Sequence, residues 1–448
     1  MLGKGRLKEI ADSVLRAAKG DQTEVVIQAD ADQLTRFAEN TIHQNVAETN
    51  VSIRVRSVLG KKIGVAMGND LSEEGLAKVV RNAESIAGFQ QENPDFRSLP
   101  GPEPADTVDI FSESTAMCTP ARRAEGVEAI LRRSRENGLK AAGAFSTSTA
   151  ESAVFNSLGV AAYQRGTSAN LMTVVMSEDS SGYAAQAAKD VNELDPQEVG
   201  RIAVDKALRS RDPQPFDPGA YTVFLEEEAV ATMVFFLGYL GLGALPMQEK
   251  RSFLTGRMGE KVTGENITIW DDGLDPEGFS LPFDFEGVPR QKVMLIENGI
   301  GKNVVYDSFT AGREEGKAST GHSLPAPNML GPIPIHLHMA PGSASREEMI
   351  ASIERGIWVT RFHYTNPVHP VKTILTGMTR DGTFLIENGE VTRPLKNFRF
   401  TQSILEAFAN ARMLSAETKL TKSGFGNIAT FAPAAVIDGF RFTGVTEF

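Results

Sequence analysis

The sequence predicts an α+β fold, with an amino-terminal α/β part and a β-rich carboxy-terminal domain that contains a mainly antiparallel sheet. Two observations predict it. Runs with helical periodicity and strand-type runs alternate over the first half of the chain, and Asn-Gly turns separate strand-like runs in the second half. A chain of 448 residues is also long for a single core, so two or three domains are expected.

The amino-terminal part is predicted to contain a duplicated helix–four-strand–helix unit. In the first unit, residues 24–28 and 33–38 are predicted as two separate short strands. Residues 1–88 form the first α/β segment and residues 119–212 form the second, with a proline-rich, irregular linker over residues 89–118. Ser72, Thr119 and Asp195 each precede a helical run, and proline follows the last two, which is typical of helix starts.

Residues 219–448 are predicted to form the β-rich carboxy-terminal domain. The pairs Asn298-Gly299 and Asn388-Gly389 both follow the strand-like residues LIE, and Asn-Gly between strands is a strong hairpin signal. The same domain contains an aromatic segment, SLPFDF, whose rings Phe283 and Phe285 we expect at an interface with a partner chain. The alternative is that both rings fill the domain's own core.

Composition excludes several classes of function. The net charge is −11, which argues against nucleic-acid binding because such proteins need a basic face. Cys118 is the single cysteine, which favours a reducing compartment. The first 20 residues have no signal-peptide core, and the uncharged residues 229–248 contain three glycines and a proline, which favours a buried helix over a membrane span. We expect a cytoplasmic protein without membrane or nucleic-acid contacts.

The stretch from residue 221 to residue 245 carries the main functional signal. An apolar run meets three consecutive carboxylates, Glu226, Glu227 and Glu228, and a helical apolar pattern follows until glycines end it. The pattern predicts a strand that leads into a short buried helix. Acids in the first turn of a helix are also explained by the helix dipole alone.

This stretch, with ITIWDDGLDPEGFSLPFDFEGVP and STGHSLPAPN further on, resembles the TldD/TldE (PmbA) metalloprotease family, once described as modulators of DNA gyrase. Catalytic members carry H-E-x-x-x-H on this helix, where the present chain reads EEAVAT. Glu227 and Thr232 therefore stand at the imidazole positions and Glu228 at the position of the base. Zinc proteases need both imidazoles to hold the metal. The resemblance implies the non-catalytic TldE/PmbA-like branch, with no confident catalytic residue and no cofactor in this chain.

The histidines leave a second interpretation open. His336 and His338 lie two residues apart, which places both rings on one face of a strand, and His363 and His369 could supply further ligands. The cysteine ligand that the family carries near its carboxy terminus has no counterpart in TKSGFGNI, residues 421–428. The alternative is a homodimeric metal-dependent peptidase with relocated histidine ligands.

The resemblance implies a partner as well. The leading hypothesis is a non-catalytic subunit that forms a heterodimer with a zinc-bearing TldD-type catalytic subunit and helps it to degrade unfolded peptides. Self-association into a homodimer is the alternative assembly. A third hypothesis is a peptide-binding scaffold that captures extended chains at exposed strand edges.

Overall fold

The computed structural model describes residues 1–422 and 428–446, and the bounds below refer to them. The helices lie both in the amino-terminal part and between the strands of the carboxy-terminal part. They are α1 (Gly3–Ala17), α2 (Glu73–Phe89), α3 (Glu113–Ala116), α4 (Pro120–Glu136), α5 (Pro196–Arg209), α6 (Glu227–Gly241), α7 (Ala244–Gln248), α8 (Ser308–Gly312), α9 (Arg346–Ala351) and α10 (Ile404–Ala409).

The amino-terminal part forms one antiparallel sheet, called sheet 1, with the strand order β3-β2-β1-β4-β5-β6. Its strands are β1 (Gln22–Ala38), β2 (Thr41–Leu59), β3 (Lys62–Gly68), β4 (Lys140–Asn156), β5 (Ala161–Met176) and β6 (Ser181–Ala188). The two halves of the sheet meet where β1 pairs with β4. The linker crosses between them and contributes α3.

The carboxy-terminal part forms a mainly antiparallel sheet, called sheet 2, as predicted. Its strands are β7 (Ala220–Leu225), β8 (Ile269–Asp271), β9 (Val293–Glu297), β10 (Ile300–Gly301), β11 (His336–Met339), β12 (Arg355–His369), β13 (Ile374–Glu387), β14 (Glu390–Pro394), β15 (Phe398–Ser403), β16 (Ala411–Lys422) and β17 (Ala429–Val445). Strand β7 pairs with both β12 and β17, which closes β7, β12, β13, β15 and β17 into a ring.

The α+β fold class is confirmed, and one detail of it is wrong. Each half of sheet 1 has three strands rather than four, because pairs of short predicted strands are continuous: residues 24–28 and 33–38 both belong to β1, for example. The polar residues between the short runs lie within an unbroken ladder of backbone hydrogen bonds. The predicted segment boundaries stay a prediction.

The local signals for helix starts and turns are confirmed. The side chains of Ser72, Thr119 and Asp195 accept hydrogen bonds from backbone N–H groups in the first turns of α2, α4 and α5. Asn298 and Asn388 have positive φ angles of 48° and 53° and link antiparallel strands. Residues 229–248 divide between α6 and α7. No helix in the described ranges has both the length and the apolar character needed to cross a membrane.

Of the two rings expected at a partner interface, Phe283 lies inside the chain and Phe285 is half-buried. Phe283 is 2% exposed and packs with Val26, Val154 and Val160 of sheet 1, and Phe285 borders the same cluster. The interface prediction for Phe283 is therefore wrong, because this ring already fills the core between the two parts of the chain.

A shared guanidinium also joins the two parts. Arg56 of β2 forms ion pairs with Glu24 of β1 and with Glu286, which lies in the carboxy-terminal part. Burial raises the pKa of Glu24 to about 7; Arg56 opposes this effect and Glu286 adds to it. Two carboxylates compete for one cation at this junction.

The junction predicts a pH dependence of stability. The pKa of Glu24 is above its ordinary value of 4.5 in the folded state, so folding favours the protonated carboxyl. The stabilisation that this group contributes to the folded state is complete below pH 4.5 and is lost as the pH rises to about 7. Relative to Glu24→Gln, the wild-type free energy of unfolding should fall over this window by up to about 3 kcal/mol, because a tenfold change in proton affinity corresponds to about 1.4 kcal/mol. Urea denaturation at pH 5 and pH 8 measures it. Glu39→Gln, an exposed residue paired with Lys140, is the control. Parallel curves for wild type and Glu24→Gln would contradict the assignment.

Candidate functional site

The predicted strand and helix meet at the centre of sheet 2. Strand β7 lies between β12 and β17, and its residues Val223, Phe224 and Leu225 are fully buried. The backbone N–H of Glu226 donates to the carbonyl oxygen of Val359 on β12 at 3.1 Å, and α6 starts at the next residue. The sheet therefore fixes the position of the carboxylates.

Each of the three carboxylates has a different cation as partner. Lys206 Nζ of α5 lies 2.7 Å from a carboxylate oxygen of Glu226, and both side chains are less than 10% exposed. Arg346 of α9 contacts both oxygens of Glu227, at 2.8 and 2.9 Å. Lys419 of β16 lies 3.3 Å from Glu228. The helix dipole alone therefore does not account for the three consecutive carboxylates at the start of α6.

Glu226 is the most constrained of the three. Its second oxygen accepts a hydrogen bond from the indole N–H of Trp358 at 2.7 Å. Burial by itself would raise the pKa of Glu226, but the charges of Lys206 and Arg346 and these hydrogen bonds hold it below its ordinary value. The carboxylate stays ionised inside the protein.

The family's metal-ligand positions do not fit a metal in this chain. The Glu227 carboxylate is engaged by Arg346, and the Thr232 hydroxyl donates to the backbone carbonyl of Glu228 at 2.9 Å. Both oxygens of the Glu227 carboxylate are bonded to a guanidinium and are therefore not available to a divalent cation. Glu228 and Thr232 line a small pocket of about 340 Å³, together with Tyr183, Arg361 and His363, among others.

His336 and His338 lie on β11, and both rings make contacts inside the protein, while His336 also borders the cleft described below. The Nε2–H of His336 donates to the carbonyl oxygen of Phe279 at 2.6 Å, and burial lowers the pKa of His336 to about 4. The ring of His338 stacks between Trp270 and Phe431, with ring centroids 5.2 and 4.6 Å away. Both rings are held in packed surroundings.

The other two candidate histidines lie elsewhere. His363 lines the small pocket beside Glu228, and His369 lies exposed at the end of β12, where its Nδ1 accepts the backbone N–H of Lys372 at 3.3 Å. Within residues 1–422 and 428–446 no group of three or more His, Cys, Asp or Glu side chains could hold a metal ion. Residues 423–427, in the stretch aligned with the family's cysteine ligand, lie outside the described residues.

Sequence reasoning missed a buried cluster next to His336. The Nε2–H of His322 donates to Asp271 at 2.8 Å, and its Nδ1 lies 2.9 Å from the hydroxyl of Thr320. The guanidinium of Arg290 lies 3.9 Å from the same carboxylate. Burial would raise the pKa of Asp271, but these neighbours hold it well below its ordinary value. The sequence signals were His322 within STGHSLPAPN and Asp271 within ITIWDDGLDPEG, which lie 51 positions apart.

A large cleft lies between sheet 1 and the carboxy-terminal part, with a volume of about 850 Å³. One wall is polar and comes from β1, β4 and β5. The opposite wall is largely apolar and includes the second half of α6. The polar wall includes Gln28, Asp30, Ser148, Ser152, Gln164 and Ser168, and the apolar wall includes Phe236, Tyr239, Phe279, Leu281, Leu324 and Ile333. A polar wall facing an apolar wall suits an extended peptide, whose amides and side chains need both.

This fold and this modified helix define a metallopeptidase-type protein without the usual metal ligands. Three family descriptions match the chain: PmbA/TldA metallopeptidase domain 1 at residues 23–87, the central domain at 99–211 and the C-terminal domain at 218–444. The chain belongs to the PmbA/TldA metallopeptidase family.

Individual relatives agree with this assignment. The chain is 23% identical to the metalloprotease PmbA of Escherichia coli O157:H7 over 429 residues, which is 90% of each chain. It is 32% identical to a metalloprotease TldD homolog of Buchnera aphidicola over 177 residues, 38% of this chain and 35% of that one. The crystal structure of TldE from Thermococcus kodakarensis has the same fold, with a TM-score of 0.89, 22% identity and coverage of 97% and 100%. The chain spans between 35% and 65% of the length of several other curated relatives.

The ion pair of Glu227 predicts the effect of removing its cation. Arg346→Met leaves Glu227 without a partner and Glu226 with one cation fewer. A fully buried pair loses about 3–5 kcal/mol when one partner is removed, but Arg346 is 39% exposed, so we expect about 1–3 kcal/mol. The double variant Arg346→Met/Glu227→Gln should recover part of this loss. Urea denaturation measures it, with Arg313→Met, from a surface pair with Asp95, as the control. Equal destabilisation by the single and double variants would contradict charge compensation.

Proposed function

We propose that this chain is a TldE/PmbA-like, non-catalytic subunit of a TldD-type metalloprotease complex that degrades unfolded peptides. One observation carries the proposal: at the two imidazole positions of the metal motif, Glu227 is bonded to Arg346 and Thr232 to the helix backbone. A glutamate base without a metal-bound water has nothing to activate.

The cleft supports a role in handling peptides. Its polar wall offers amide, hydroxyl and carboxylate groups to a peptide backbone, and its apolar wall offers aromatic and aliphatic surface to side chains. The apolar wall belongs in part to α6, the helix that carries the metal in catalytic relatives. The subunit would hold an unfolded chain while its partner supplies the metal and cleaves.

Co-expression tests the complex. This chain, tagged and co-expressed with a TldD-type chain that carries an intact H-E-x-x-x-H motif, should form a stable heterodimer, measured by light scattering. The complex should degrade reduced, carboxymethylated casein faster than either chain alone. A mixture that never associates, or a complex no more active than the TldD-type chain alone, would sink the proposal.

The purified chain alone should contain less than stoichiometric zinc and show no peptidase activity above background. The reason is the engagement of Glu227 and Thr232 within the fold. Elemental analysis after dialysis against zinc gives the metal content, and the same casein substrate gives the activity. A tightly bound zinc that is lost in His336→Ala would instead favour the homodimeric peptidase with relocated ligands.

Glu228→Gln should leave proteolysis by the intact complex nearly unchanged, within about twofold. Glu228 is partly exposed and pairs with Lys419 at 3.3 Å, and such pairs contribute about 0–1 kcal/mol. The corresponding glutamate-to-glutamine change in the partner's H-E-x-x-x-H motif is the matched control and should abolish activity. Loss of activity on changing Glu228 would assign it a chemical role.

A further inference from the structure

Sheet 1 contains two equivalent helix–three-strand–helix units, and each unit leaves one half of a strand edge, called a half-edge, without a partner from its own hairpin. Strand β2 pairs with β3 only over residues 53–59, and β5 pairs with β6 only over residues 169–176. The first half of each strand, residues 41–52 of β2 and 161–168 of β5, therefore has one side that its own hairpin leaves open.

A single extended segment covers the half-edge of β5. Within residues 108–112 of the linker, Ile110 forms a parallel bridge with Gly166, and the N–H of Thr167 donates to the carbonyl oxygen of Ile110 at 3.0 Å. The side-chain amide of Gln164 donates to the carbonyl oxygen of Val108 at 2.8 Å. The side chain of Ile110 lies over Gly166, where an added Cβ would come within 2.5 Å of it. One main-chain hydrogen bond, hydrogen bonds with side chains of β5 and one apolar side chain hold the segment.

The half-edge of β2 has no such cover in the part of the chain that the structure describes. Residues 41–52 pair with β1 on one side, no described strand, bridge or backbone group pairs with them on the other, and most of their side chains are exposed. The sequence TIHQNVAETNVS contains no lysine, arginine or proline, and Glu48 is its one acidic residue. Natural proteins use charged residues, lysine above all, and proline to protect an open edge, whereas the β-branched residues that are frequent here favour pairing.

We propose that residues 41–50 of β2 bind an extended polypeptide by strand addition, as residues 108–112 are bound at the equivalent edge. The end of this edge reaches the cleft: Asn50 pairs with Asp30 and Ser52 pairs with Gln28, and both Asp30 and Gln28 line the polar wall. A peptide on β2 extends sheet 1 and runs up to the cleft. Recognition through the main chain is insensitive to sequence, which suits unfolded peptides as a class.

The inference rests on the proposed function only in its choice of unfolded peptides as ligands. Binding is measured on the isolated chain, without the catalytic partner. If the heterodimer does not form but the peptide binds, the proposed function fails and this inference stands. If the heterodimer forms but the peptide does not bind, this inference fails and the proposed function stands.

The probe is a fluorescein-labelled peptide with the sequence of residues 104–114, PADTVDIFSES, because a segment of this chain is already bound in this way. Two further peptides carry N-methyl groups at alternate amides, one set on each edge of the extended peptide. Fluorescence anisotropy should show at least tenfold weaker binding for one N-methylated peptide and an unchanged Kd for the other. Hydrogen exchange should show protection of amides in residues 41–50 on binding.

Two proline variants test the edge from the protein side. Successive strand residues direct their N–H groups to opposite sides, so one of Ala47→Pro and Glu48→Pro loses an N–H that faces the open edge. That variant should keep the wild-type melting temperature within a few degrees and bind the probe at least tenfold more weakly, while the other should be destabilised. Gln91→Pro is the control, since Gln91 is exposed and the preceding Gln90 is already extended.

Three outcomes would overturn the inference. The first is that N-methylation of neither edge of the peptide changes its Kd. The second is that hydrogen-exchange protection on binding is confined to residues that line the cleft. The third is that residues 41–50 are already protected in the free chain and its mass doubles with concentration, which would assign the edge to a second copy.

Discussion

The buried ion pair between Lys206 and Glu226 is the strongest electrostatic constraint on how the two parts of the chain meet, beside the Phe283 cluster and the Arg56–Glu286 ion pair. Lys206 comes from α5, which packs on sheet 1, and Glu226 stands where β7 of sheet 2 passes into α6. A carboxylate and an ammonium group buried to this degree are each costly alone, so the two elements stabilise each other only when they meet. The contact positions sheet 1 against the carboxy-terminal part, and the cleft is the space between them.

The same requirement explains how the family's metal position is used here. In a zinc protease, the charge of the metal compensates for the acidic groups around it. In this chain the acids are three consecutive glutamates, and compensation comes from a lysine, an arginine and a second lysine on three different elements. The charges of these carboxylates are therefore compensated by cations of the chain itself.

Duplication gives sheet 1 two further features. Helices of the amino-terminal part pack on one face of the sheet, and residues of β1, β4 and β5 on the other face form the polar wall of the cleft. Because the third strand of each unit is short, half of each outer strand is left open. The linker between the units covers one of these edges at Gly166.

The sequence by itself determined much of the local structure and the departure from the H-E-x-x-x-H pattern. Caps at Ser72, Thr119 and Asp195 and turns at Asn298 and Asn388 follow from short-range preferences of the backbone, and the motif departure is visible in six residues. The tertiary structure decided what depends on distant residues. Arg346 and Lys419 lie 119 and 191 positions from their carboxylates, and no local pattern couples them. Strand β1 is continuous, without the predicted break, because β2 and β4 pair with it on both sides along its length, including its polar residues. Phe283 became a core residue because sheet 1 covers it, a contact set by the relative position of the two parts.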